Sequence, residues 1–93
     1  MTNKPDDDFF DRADAVINLA NTHLEHVGRG KVSASLLYAA ARFSSWVSAC
    51  GFDDSADMKD HKDETIEYFV QEYRKMLTEN LDDYIDNFED YMR

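Results

Sequence analysis

From Met58 to Arg93 the chain contains neither glycine nor proline, and its apolar residues keep a helical spacing. Ile66, Phe69, Val70, Tyr73, Leu77, Leu81, Tyr84, Phe88 and Tyr91 form one face. An unbroken helix from 58 to 91 would reach about 50 Å at ~1.5 Å per residue. No other segment matches that length. Helix propensity dips at Thr78-Glu79-Asn80, and Asn tolerates a left-handed cap. The expected solution is therefore a bend near 78–80 that produces a short fourth helix, the alternative being a protruding end.

Two earlier segments read as helices. Phe9, Ala13, Val16, Ile17, Ala20, Leu24 and Val27 lie on one stripe, with Asp6, Asp7 and Asp8 upstream as capping acids. The spacing predicts a helix over about 7–27, closed by Gly28-Arg29-Gly30 through a left-handed glycine cap. A second helix is expected from Val32 to Cys50. Its stripe is Leu36, Leu37, Ala40, Phe43, Val47 and Cys50, with Trp46 alongside, and Tyr38-Ala39-Ala40-Ala41 makes it apolar on nearly every side. Gly51-Phe52 reads as a Schellman ending, and Ser55 or Asp57 as a cap for the segment that follows. The fold class expected is all-α: a small helical bundle of three main helices, the third long or bent. Residues 1–6 are expected to be a loose tail and 7–92 a single helical domain.

A chain of 93 residues suffices for one core and no more. Its net charge of −10 is lopsided. Residues 1–50 carry six acids and five bases, net −1, whereas residues 51–93 carry fourteen acids and five bases, net −9. Nucleic acid and anionic membranes attract Lys and Arg clusters, so direct binding to either is not expected. An electrostatically chosen partner should be basic. The single cysteine, Cys50, excludes an internal disulfide and suits a reducing, cytoplasmic setting. The N-terminal residues lack the apolar core of a signal peptide, and no apolar run approaches a membrane span.

The strings K-V-S-A-S-L-L-Y-A-A-A-R-F (31–43) and E-Y-F-V-Q-E-Y-R-K-M-L-T-E-N-L-D-D-Y-I-D-N-F (67–88) carry a resemblance. They are similar to a family of small acidic bacterial proteins known as domain of unknown function 3144. The similarity runs from about Phe9 to Met92 and is weakest over 51–63. It implies a bacterial, single-domain protein and brings no assigned activity and no site residues.

The motifs for chemistry are incomplete. In D-D-S-A-D-M-K-D-H-K-D-E (53–64), Asp53, Ser55, Asp57 and Glu64 occupy places 1, 3, 5 and 12 of a calcium loop. Met58 replaces the required glycine and Asp60 the apolar eighth residue, so an interhelix turn is expected instead. His23 and His26 lack a third ligand, and no Glu-x-x-His occurs. Ser44, Ser45, Ser48 and Cys50 have no nucleophile elbow or oxyanion loop around them. Gly28-Arg29-Gly30 is too short for a phosphate cradle, and Arg74-Lys75 sit among acids that can pair with them locally. No catalytic residue, metal or cofactor is expected, and the chain is not expected to be an enzyme.

What remains is the closing segment. Leu81, Tyr84, Ile85, Phe88 and Tyr91 share a face, and Glu79, Asp82, Asp83, Asp86, Glu89 and Asp90 take the rest of the wheel. Acids spread around a helix do not converge on a cation. The aromatic face either completes the core or meets a partner, with Trp46 a candidate neighbour. The expected function is a protein–protein interaction or homo-oligomerising module acting through this segment. The alternative is an acidic nucleic-acid mimic occupying the basic groove of a DNA- or RNA-binding protein.

Overall fold

The computed structural model describes residues 6–93; the expected tail therefore lies outside the described residues except for Asp6. Five helices follow one another: α1 (Phe9–His23), α2 (Arg29–Ala49), α3 (Ser55–Asp60), α4 (Lys62–Asp86) and α5 (Phe88–Met92). The described residues contain no strand, and the fold is all-α. Packing divides the chain into two units, one ending at Val47 and one running from Ser48 to Arg93.

In the first unit, Asp6 lies ahead of α1, whose N-cap residue, Asp8, makes no side-chain capping bond. The Asp6 carboxylate accepts the Asp8 amide at 3.0 Å and both ends of the Arg12 guanidinium at 3.2 and 2.8 Å. The Arg12 hydrogen bond is the main reason that the Asp6 carboxyl titrates below its ordinary value. The helix stops at His23, four residues short of the expected Val27. Thr22 Oγ1 donates to the Leu19 carbonyl at 2.6 Å, one of the local bonds with which Thr competes against a continuing helix. Residues 24–27 then close by turns such as Val27 N to His23 O at 3.1 Å.

The glycine caps expected from sequence are not left-handed. Among the described residues no glycine has positive φ. Gly30 lies inside the first turn of α2, which begins at Arg29 rather than Val32. Gly51 closes α2 through its amide to Ser48 O at 3.0 Å, with Phe52 N bonding Ala49 O at 3.1 Å, a tightened right-handed turn. Helix α2 is the most apolar element, yet Val32 alone among the described residues is buried, at 8% exposed. Leu36, Leu37, Tyr38, Phe43, Trp46 and Val47 all face outward to a third or more.

In the second unit, α4 touches the two short helices that flank it. Asp54, rather than Ser55 or Asp57, caps α3: its backbone is extended and its side chain accepts the Asp57 amide at 2.8 Å. His61 forms the corner to α4, with Nδ1 2.9 Å from the Asp57 carbonyl and its ring 5.3 Å from Phe52. Helix α4 then runs 25 residues without interruption. The bend expected near 78–80 is absent. Thr78 Oγ1 donates to Arg74 O at 2.7 Å and Asn80 Nδ2 to Met76 O at 2.8 Å, so both side chains are satisfied by the helix they sit on. The break falls at Asn87, and the short final helix is α5.

Candidate functional site

The break at Asn87 organises the surface that the sequence singled out. Asn87 leaves helical geometry with φ −122° and ψ 29°. Its Nδ2 donates to the Asp83 carbonyl at 3.0 Å and to Asp83 Oδ1 at 2.9 Å. The second carboxylate oxygen, Oδ2, accepts from Tyr91 Oη at 2.6 Å. Asp83, Asn87 and Tyr91, each four residues apart, thus tie the last turn of α4 to α5. This bond from Tyr91 to a carboxylate, and next the Asp83 charge itself, hold the Tyr91 phenol above its ordinary value of 10.0.

The hook sets the aromatic ring positions. Tyr91 lies against Tyr84 with ring centroids 4.4 Å apart and planes inclined by 33°. The Arg93 guanidinium stands 5.8 Å from the Phe88 ring centre while its Nε pairs with Glu89 at 3.1 Å. Leu81, Tyr84, Phe88 and Tyr91 are each about half exposed and Ile85 is 69% exposed. All five sequence-derived residues of the second unit therefore present apolar surface around one fixed corner. Trp46, the sixth, belongs to α2; it is 61% exposed and its ring lies 5.7 Å from Phe43.

The other candidate groups find local roles. Residues 55–60 are helical, so Asp53, Ser55 and Asp57 lie on no open calcium loop. The Asp57 carboxylate lies 3.5 Å from His61 Nδ1. The imidazole titrates above its ordinary 6.5, chiefly through the Asp57 carbonyl and secondarily through the Asp57, Glu64 and Asp60 charges. Lys75 pairs with Glu72 at 2.7 Å, as i, i+3 spacing implies. Ser45 donates to Ala41 O at 2.8 Å, and Cys50 is exposed with a free thiol. Among the described residues, no three His, Cys, Asp or Glu side chains gather as a metal site would require, and no helix is long and apolar enough to cross a membrane.

Sequence reasoning missed Asp83 and Asn87. The signal was available as the four-residue spacing D-x-x-x-N-x-x-x-Y, which puts three hydrogen-bonding side chains on one edge of a helix.

The family model described as "Protein of unknown function (DUF3144)" matches residues 9–85. The chain belongs to the DUF3144 family. The match begins at Phe9, where the resemblance in the sequence begins, and stops short of Met92; it takes in Trp46, Leu81, Tyr84 and Ile85 and ends before Phe88 and Tyr91. The DUF3144 chain is similar to the NMR structure of the protein NB7890A from Shewanella sp, with 35% identity and a TM-score of 0.79 over 94% of this chain and 93% of that one. No curated protein matches this DUF3144 chain.

Proposed function

We propose that this DUF3144 protein is an interaction module whose working surface is the apolar face of α4 and α5, centred on Leu81, Tyr84, Ile85, Phe88 and Tyr91. The observation that carries the reading is that these five side chains are each about half exposed or more while the Asp83–Asn87–Tyr91 hook holds Tyr91 against Tyr84. Exposed apolar patches beyond a few hundred Å² are unusual on solitary soluble chains and mark places where something docks. Pre-set rings lose little freedom on binding, which favours them as anchors. In the same proposal the three long helices α1, α2 and α4 form a bundle once the surface is covered, and the bacterial cytoplasm is the site of action.

The test compares the native chain with a Phe88→Asp, Tyr91→Asp variant by light scattering and thermal melting. An interaction surface predicts that the variant stays folded and loses association. A variant that unfolds alone, from a native chain that never associates, would make the face part of a monomer core and refute the reading. The net charge of −9 over residues 51–93 favours a second reading, the acidic nucleic-acid mimic. Mimicry predicts capture of a basic partner that fails steeply as salt rises, while an apolar seam persists.

A further inference from the structure

We draw no further inference here: the strongest candidate, the exposed apolar patch on α4 around Tyr73, Leu77, Leu81 and Tyr84, carries nothing beyond the interaction reading, because most acids of α4 lie opposite it and nothing in the structure shows what covers it.

Discussion

Replacing Asp54 by alanine removes one hydrogen bond, and its consequence can be worked through. Asp54 is extended, at φ −152° and ψ 171°, and its Oδ1 takes the Asp57 amide at 2.8 Å. That amide is one of the four donors that a helix start leaves without an internal partner. Loss of an Asp cap costs about 1 kcal/mol. Helix α3 has six residues, so its own propensity cannot offset the loss. Since α3 joins the rest of its unit through the His61 corner and α4, the cost should appear first as local opening. About 1 kcal/mol corresponds to a roughly fivefold rise in the open population. Amide hydrogen exchange followed by NMR should therefore show Asp57 N–H exchanging roughly fivefold faster in Asp54→Ala, with mid-α4 amides unchanged. Asp54→Ser should restore most of the protection, because Ser also caps. If Asp57 exchanges at the native rate in Asp54→Ala, or if Asp53→Ala has the same effect, the capping argument is wrong.

Further outcomes follow from the same geometry. Gly30 sits in the first turn of α2 with open space for 4 Å around the place an alanine Cβ would take, so Gly30→Ala should raise stability by about 0.5 kcal/mol, visible as a higher melting temperature. The His61 imidazole should titrate above 6.5 by NMR, and Asp57→Asn should lower it only in part, because the leading cause is a backbone carbonyl. Its folded pKa is raised, so the stabilisation it gives the α3–α4 corner is complete below about 6.5 and fades as pH rises through the folded value. The Tyr91 phenol should titrate above 10.0. That stabilisation is likewise complete below 10.0 and is lost as pH rises through the folded value, and Tyr91→Phe should abolish this pH-dependent loosening of α5.

Helix identity was legible in the sequence because the three- and four-residue apolar spacing of α1, α2 and α4 is a long-range pattern. Their ends were not. At Thr78-Glu79-Asn80 and at Asn87 the local propensities are alike, yet α4 runs through the first and breaks at the second. The difference is a partner: Asn80 reaches only a backbone carbonyl, while Asn87 also finds the Asp83 carboxylate, which Tyr91 grips from the other side. The glycines misled for a related reason. Gly28, Gly30 and Gly51 permit a left-handed cap, but nothing in the following residues demands one. For the candidate site, the wheel assigned Leu81, Tyr84, Ile85, Phe88 and Tyr91 to one face. The 4.4 Å Tyr84–Tyr91 pairing depends on the break at Asn87, which the wheel does not encode.

The corners at His61 and Asn87 contain no glycine, proline or positive φ. They are held by side-chain hydrogen bonds, each worth about 1 kcal/mol. Such corners are editable. A substitution such as Asn87→Ala, or a partner that engages Asp83 and Tyr91, needs to displace only these bonds for α4 and α5 to fuse. A fused helix over 62–92 would be a rod of about 46 Å, giving the chain two usable lengths from one sequence.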